Sequence, residues 1–214
     1  MDSPGALTIT APGPPGSLKR HLCIDGHPCL TTSRDVVRAL ELEDGEPVTC
    51  AELGMRVKTE EPTWAHQRTL RLLNHRDRSQ AEVSRRLRED GYSATTVEQV
   101  LDRFVELGFL DDERFAAGLV RSKVLAGWGP HRIRGALRAA GVDDTVLERA
   151  MSAECPVRDL ERAREIAARF TPHDRASAAR LANRLIRRGF DVSTARTVAF
   201  ERLADADVPP LDSV

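Results

Sequence analysis

The sequence has few cysteines, few aromatic side chains and no long apolar run. Of its 214 residues, 4 are cysteine and 4% are aromatic. Cys23, Cys29, Cys50 and Cys155 form no Cys-x-x-Cys pair, which is typical of free thiols in a reducing compartment rather than of a disulfide framework. The sequence also has few aromatic residues to form the rows of rings on which single-stranded bases stack.

Membrane and secretion signals are missing as well. No apolar run reaches the roughly 20 residues that a membrane-spanning helix needs. Residues 1–11 lack the basic start and apolar stretch of a signal peptide, so we expect a cytoplasmic protein. Lys and Arg number 32 against 33 Asp and Glu, which excludes a uniformly basic coat of the histone type.

The sequence shows none of the familiar catalytic motifs. We find no phosphate-binding glycine loop, no His-Glu-x-x-His and no nucleophile elbow, so we expect neither enzyme activity nor a cofactor. The pair Asp111-Asp112 directly precedes Phe115, and helix capping explains it better than catalysis.

Two histidines and two cysteines near the start suggest zinc, in the pattern His21-x-Cys23-x-x-x-His27-x-Cys29. A zinc site needs all four ligands to converge. The turn Asp25-Gly26 makes this segment a hairpin in which Leu22 opposes Cys29 and Cys23 opposes Pro28. The two cysteines then lie on opposite faces, so we predict no metal site.

The first part of the chain indicates a small mixed α/β unit behind a flexible tail. Residues 1–17 are rich in proline and glycine and offer little to bury. Residues 18–62 then contain the hairpin and a short helix capped by Ser33. The polar residues 58–62 are expected to link this unit to the helical remainder of the chain.

From residue 63 onward the pattern is helical and repeats at a spacing near 50 residues. Each repeat has a two-turn apolar stripe, a glycine suited to ending a helix, and an apolar residue after it. The three copies are Val83-x-x-x-Leu87-x-x-x-Gly91-Tyr92, Ile133-x-x-x-Leu137-x-x-x-Gly141-Val142 and Leu181-x-x-x-Leu185-x-x-x-Gly189-Phe190.

These repeats predict a mainly all-α fold: a tandem array of three three-helix repeats with a small N-terminal α/β extension. The repeats should cover residues 63–110, 111–155 and 156–203, before a second flexible tail at 204–214. Each first helix begins its repeat, at residues 64–73, 112–126 and 157–170. Ser79 and Gly129-Pro130 mark the starts of second helices, and Thr96, Asp144 and Ser193 those of third helices.

Charge alternates along the repeats. Residues 119–140 and 175–189 carry basic side chains and no acidic ones, whereas residues 91–118 and 141–161 are predominantly acidic. One interpretation is ordinary solvated surface with basic faces paired against acidic ones; the other is a binding surface. On a helical wheel Arg78, Arg85 and Arg88 point away from the core.

Several segments resemble the RecX family of recombinase regulators. The segment Gly108-Phe109-Leu110-Asp111-Asp112-Glu113-Arg114-Phe115-Ala116 is similar to that family's Gly-aromatic-aliphatic-Asp-Asp signature. The glycine-ended helices are similar to its repeats, and residues 19–45 to an N-terminal extension of some members. His27, Pro28 and Cys29 depart from the aromatic residues often found there.

The resemblance implies a non-enzymatic cytoplasmic protein that binds RecA and RecA filaments on DNA, and inhibits recombinase, ATPase and co-protease activity. A direct DNA-binding protein with basic second helices is the alternative. We expect a monomer that stays off membranes. The residues expected to contact the partner are Arg85, Arg88, Arg132, Arg134, Arg138, Arg184 and Arg187.

Overall fold

The computed structural model describes residues 3–155 and 159–206, and divides the chain into two compact units. Unit 1 is Met1–Asp111 and unit 2 is Asp112–Val214. Within the described residues the fold is mostly helical, with three helical triads and an N-terminal sheet, which confirms the predicted fold class.

Unit 1 combines the sheet with the first triad. Its four strands, antiparallel in the order β3-β2-β1-β4, are β1 (Gly5–Thr10), β2 (Lys19–Ile24), β3 (His27–Ser33) and β4 (Pro47–Val48). Its helices are α1 (Arg34–Ala39), which follows β3, and α2 (Cys50–His75), α3 (Gln80–Asp90) and α4 (Ala94–Glu106), which form the first triad. A single apolar core runs from Leu7 and Leu22 of the sheet to Leu87 and Phe104 of the triad.

Unit 2 contains the second and third triads. The second is α5 (Asp112–Leu125), α6 (Pro130–Ala139) and α7 (Asp144–Glu154); the third is α8 (Asp159–Ala167), α9 (Arg175–Arg187) and α10 (Val192–Ala206). Each triad has a core of its own, centred on Ile133 and Leu147 in the second and on Leu185 and Val198 in the third.

The predicted hairpin and its turn are confirmed, but its detailed register is wrong. Cys23 pairs with Pro28 as expected, whereas Leu22 pairs with Leu30 because a bulge at Leu22/Cys23 shifts the register. The bulge adds one unpaired residue to β3, namely Cys29.

The expectation that all four cysteines are free is wrong for two of them. Cys29 and Cys50 form a disulfide between β3 and the first residue of α2, with Cα atoms 5.8 Å apart. Cys23 and Cys155 are free. The pairing spans 21 residues, and no regular spacing reveals it because the fold, not the local sequence, brings the two positions together.

The expected tail at 1–17 is wrong for residues 5–10, which form β1. This strand pairs with both β2 and β4, and the side chain of its residue Leu7 is buried in the core. The carboxylate of Asp44 accepts the backbone N–H of Ile9 at 2.6 Å. The strand is too short for its alternation to be recognised beside the prolines that come after it.

The expected linker at 58–62 is also wrong, because α2 runs without interruption through Pro62. Val57, Glu61 and Ala65 are buried and continue one stripe across the proline. Proline removes one backbone donor from a helix interior, and packing on both sides of the position compensates for that loss. The sheet and the first triad therefore share a helix.

The helix starts are predicted well for second helices and less well for third helices. Ser79 caps α3, and Gly129-Pro130 begins α6 as expected. The caps of α4 and α7 are Ser93 and Asp143 rather than Thr96 and Asp144, and α10 begins one residue before Ser193. In each case a polar residue slightly earlier accepts the first free backbone N–H groups.

The end of α10 limits the second expected tail. The helix extends to Ala206, so the expectation of a tail from residue 204 is wrong for its first residues. Residues 207–214 lie outside the described residues.

Candidate functional site

The three second helices end in the same way, and this end fixes which side faces the core. Gly91, Gly141 and Gly189 adopt φ of 101°, 75° and 94°, the left-handed region that glycine enters easily. The next residue donates its N–H to the carbonyl of the leucine five positions earlier and buries its side chain. With that side fixed, most of the second-helix arginines remain on the solvent side.

On α3, Arg85 and Arg88 are exposed, and neither has an ion-pair partner among the described residues. The neighbouring Arg86 differs, because its guanidinium pairs with Glu89 at 3.2 Å. Arg78, which the wheel places away from the core, is half-buried instead, and its Nε donates to the carbonyl of Leu72. Burial lowers the pKa of Arg78 from its usual value.

On α6 two of the three predicted arginines are neutralised by the next helix. Arg134 makes two hydrogen bonds to the Glu148 carboxylate, at 2.9 and 3.1 Å, and Arg138 binds Asp144 at 3.0 Å. The hydrogen bonds from Arg134 lower the pKa of Glu148. For these two residues the structure favours the interpretation that basic and acidic faces pair within a triad.

The three remaining predicted arginines of unit 2, Arg132, Arg184 and Arg187, stack on rings or make no ion pair among the described residues. The guanidinium of Arg132 lies 3.7 Å from the centre of the Trp128 ring, and that of Arg184 lies 4.3 Å from the centre of the Phe170 ring. Both are exposed, as is Arg187, which has no ion pair within residues 159–206 or 3–155. A stacked guanidinium keeps its charge and its N–H donors available to a partner.

The structure does not bring the seven predicted residues into one cluster within a unit. Arg85 and Arg88 belong to unit 1, and the other five belong to unit 2. Within unit 2 the arginines lie on α6 and α9, on helices of different triads.

Sequence reasoning missed a cleft in unit 2 between α5, the end of α7, α8 and α9. Its volume is about 600 Å³, and its walls include the charged side chains of Arg169 and Arg188 and the apolar side chains of Leu125 and Ile166. Ile166 and Arg169 are three residues apart, but Leu125 and Arg188 come from distant segments, so no sequence signal marks the four as neighbours.

The part of the chain that the structure describes holds neither a metal centre nor a membrane span. There, no three or more His, Cys, Asp or Glu side chains gather in a group able to hold a metal ion. Among these residues no helix is both long enough and apolar enough to cross a membrane.

Comparison with known proteins identifies the family. The family model for the first three-helix domain of RecX matches residues 65–104, and the model for the second matches residues 111–151. A Regulatory protein RecX from Mycobacterium sp. (strain JLS) is 40% identical over 151 residues, which are 65% of this chain and 82% of that protein. The chain belongs to the RecX family of regulatory proteins.

Other RecX proteins agree in sequence and in fold. The one from Xanthomonas axonopodis pv. citri (strain 306) is 32% identical over 169 residues, 77% of this chain and all of that protein. A crystal structure of regulatory protein RecX shares the fold with a TM-score of 0.58 at 21% identity, over 94% of this chain and 99% of the other. RecX from Lactobacillus salivarius gives a TM-score of 0.59 at 19% identity, over 68% and 98% of the two chains.

The two RecX family models match most of the first and second triads, but the first half of α2 lies outside them. The N-terminal sheet and the third triad lie outside residues 65–104 and 111–151. The third triad nevertheless repeats the glycine-ended second helix of the other two, with Phe190 buried in the place of Tyr92 and Val142.

Proposed function

We propose that this chain binds RecA and RecA filaments on DNA and inhibits recombinase, ATPase and co-protease activity. It does so as a cytoplasmic monomer without enzyme activity of its own. The observation that carries the proposal is its 40% identity to a protein named Regulatory protein RecX, across 82% of that protein. Regulation by binding suits a chain of small helical modules better than catalysis does.

The exposed arginines supply the attraction in this proposal. Arg85, Arg88 and Arg187 have no carboxylate partner among the described residues, so binding a partner costs them no existing ion pair. Arg132 and Arg184 add guanidinium groups held in place by rings. Because these contacts are distributed over several helices, each can be weak while the whole chain binds tightly.

Arg134 and Arg138 have a smaller part in the proposed contact. Their guanidinium groups already bind Glu148 and Asp144, and a partner would have to displace those carboxylates. We assign them to the stability of the second triad, with contact to the partner carried by the five other arginines.

Charge reversal tests the proposed contact. The triple variant Arg85→Glu, Arg88→Glu, Arg187→Glu should bind RecA filaments at least about tenfold more weakly, because each change replaces attraction by repulsion. Its circular dichroism should match the wild type, since all three side chains are exposed. Fluorescence anisotropy of labelled protein on preformed filaments gives the affinity.

A charge-matched control separates the effect of arginines on the second helices from the effect of changing the protein's net charge. Arg38→Glu, Lys58→Glu and Arg196→Glu make the same change in charge outside the second helices, at exposed positions that make no ion pair among the described residues. This control should bind within about twofold of wild type. Equal loss in both triple variants, or no loss in the first, contradicts the assignment of contacts to the second helices.

Direct DNA binding is the second candidate, because exposed arginines without carboxylate partners also fit phosphates. The same variants are therefore measured on naked single- and double-stranded DNA across a salt series. Steep salt dependence on naked DNA, together with unchanged RecA activity, would favour this second function over the first.

A further inference from the structure

The cleft in unit 2 is held by direct contact between the second and third triads. The backbone N–H groups of Gly129 and His131 donate to the carbonyls of Arg188 and Gly189, at 2.7 and 3.0 Å. Gly129 has no side chain, and a Cβ there would overlap the backbone of Gly189. The two triads therefore form a fixed joint, and the shape of the cleft beside it is determined by these backbone contacts.

One buried arginine side chain, that of Arg162, stabilises this joint through hydrogen bonds. Arg162 is 6% exposed; it donates to the carbonyl of Trp128 at 2.6 Å and to the Cys155 thiol at 2.9 Å, and lies 3.6 Å from the Asp159 carboxylate. Both hydrogen bonds are made within unit 2, so Arg162 positions the joint, and it also lines the cleft.

The cleft walls carry more positive than negative charge. Arg169, Arg184 and Arg188 line it and have no carboxylate partner in the part of the chain that the structure describes. Of the two acidic side chains in the lining, Glu154 is bound by Arg121 at 2.6 Å and Glu165 is exposed. The guanidinium groups of these three arginines are therefore available to bind a negatively charged group.

An exposed apolar surface lies beside these arginines. Leu125 is 89% exposed at the end of α5, although it lines the cleft together with Ile166 and Phe170. A leucine in water next to other apolar lining residues is stabilised when a partner covers it.

We propose that this cleft binds an acidic segment of the protein partner, in which a carboxylate side chain lies near a large apolar one. The carboxylate would meet Arg169, Arg184 and Arg188, and the apolar side chain would cover Leu125 and Ile166. This inference rests on the proposed function, because the partner that carries the segment is the regulated recombinase.

A peptide fits this cleft better than a nucleic acid does. A strand of phosphates gains nothing from Leu125, and its closely spaced charges would meet Glu165 as well as the arginines. A peptide can place one carboxylate among the arginines and an apolar group on the leucine at the same time.

Two single variants test the two halves of the cleft. Leu125→Glu and Arg169→Glu should each weaken binding to RecA at least about tenfold, as expected for central interface residues. Leu125→Met should bind as the wild type does. The controls Val192→Glu and Arg175→Glu make the same changes at exposed positions outside the cleft lining and should also bind normally.

Cys155 gives a direct readout of cleft occupancy. Its free thiol lines the cleft, whereas the other free thiol, Cys23, belongs to β2 in unit 1. RecA should slow alkylation of Cys155 by N-ethylmaleimide more than that of Cys23. Mass spectrometry of the two tryptic peptides measures this after the reaction is quenched and the Cys29–Cys50 disulfide is reduced.

The outcomes are distinguishable. If the wild-type protein does not bind RecA, both the proposed function and the proposal that an acidic segment of RecA occupies the cleft are wrong. If it binds, but Leu125→Glu and Arg169→Glu bind equally well or Cys155 remains as reactive as before, only the cleft proposal is overturned. A third outcome would show that the cleft binds phosphates and would overturn the proposal of a peptide. In that outcome Arg169→Glu loses binding to oligo(dT), whereas Leu125→Glu binds both RecA and oligo(dT) as the wild type does.

Discussion

Tyr92 is the one tyrosine of the chain and is buried directly after the left-handed glycine of the first triad. Burial raises the pKa of Tyr92 to about 12. An unfolded chain ionises its tyrosine near pH 10, so the unfolded state loses this proton first. The stability that Tyr92 contributes is therefore complete below about pH 10 and is lost as the pH rises toward about 12.

This pH dependence is measurable on a single group. Urea unfolding of unit 1 should become easier as the pH rises above about 10, and it should do so less steeply in Tyr92→Phe, which has no phenol to ionise. Because no other tyrosine is present, tyrosinate absorbance reports the Tyr92 titration alone. A midpoint near pH 10 in the folded protein would contradict the raised pKa.

Gly91 is required both by its backbone conformation and by its surroundings. Its φ is 101°, and a Cβ there would overlap the carbonyl oxygen of Thr32 on β3. Gly91→Ala should destabilise unit 1 by about 3 kcal/mol or more, since it adds a clash to the strain of a left-handed alanine. Gly45→Ala should cost about 1 kcal/mol, because Gly45 has φ of 88° with open space around it. Chemical denaturation measures both, and equal losses would show that the contact with Thr32 does not matter.

At the scale of elements, a buried carboxylate of α2 connects β3 of the sheet with α4 of the first triad. Glu61 is 2% exposed and lies near the middle of the helix. Its oxygens accept hydrogen bonds from the Thr96 hydroxyl at 2.7 Å and from the hydroxyl and backbone N–H of Ser93. The hydroxyl of Thr32, on β3, lies 3.5 Å away. One side chain thus joins a strand, its own helix and the start of α4.

Removing this carboxylate should loosen all of unit 1. Glu61→Ala leaves the buried hydroxyls of Thr32 and Thr96 without this acceptor and should destabilise the unit by about 3 kcal/mol. Glu60→Ala removes the neighbouring carboxylate, which is less buried, and should change stability by about 0.5 kcal/mol or less. Thermal unfolding of the two variants makes the comparison, and similar melting temperatures would contradict the role of Glu61.

These elements show what the sequence can and cannot predict. Gly91, Gly141 and Gly189 are predictable because a helix end is determined by neighbouring residues and recurs in all three triads. Glu61 in a polar stretch suggests a linker, and Cys29 and Cys50 suggest free thiols. Their roles depend on contacts between distant segments, which local patterns do not contain.

The candidate contacts divide in the same way. Helical periodicity correctly places Arg85, Arg88 and Arg187 on the exposed side of their helices. It cannot show that Arg134 and Arg138 are bound by carboxylates of the next helix, because that depends on how α6 packs beside α7. The cleft with Leu125 and Arg169 is invisible for the same reason.

At the scale of the whole molecule, the proposed function makes the chain a modular binder. Three triads repeat one helical pattern, and exposed arginines occur in both units. Binding through several weak contacts favours a target that repeats along its length, as a protein filament does, since each bound module raises the effective concentration of the next.

The most direct test is ATP hydrolysis by the cognate RecA on single-stranded DNA, titrated with this protein at less than one molecule per RecA subunit. Binding to naked DNA is measured under the same conditions. We predict inhibition at ratios too low for the protein to cover the DNA. An unchanged rate of hydrolysis, even when the protein saturates the DNA, would contradict regulation of the filament.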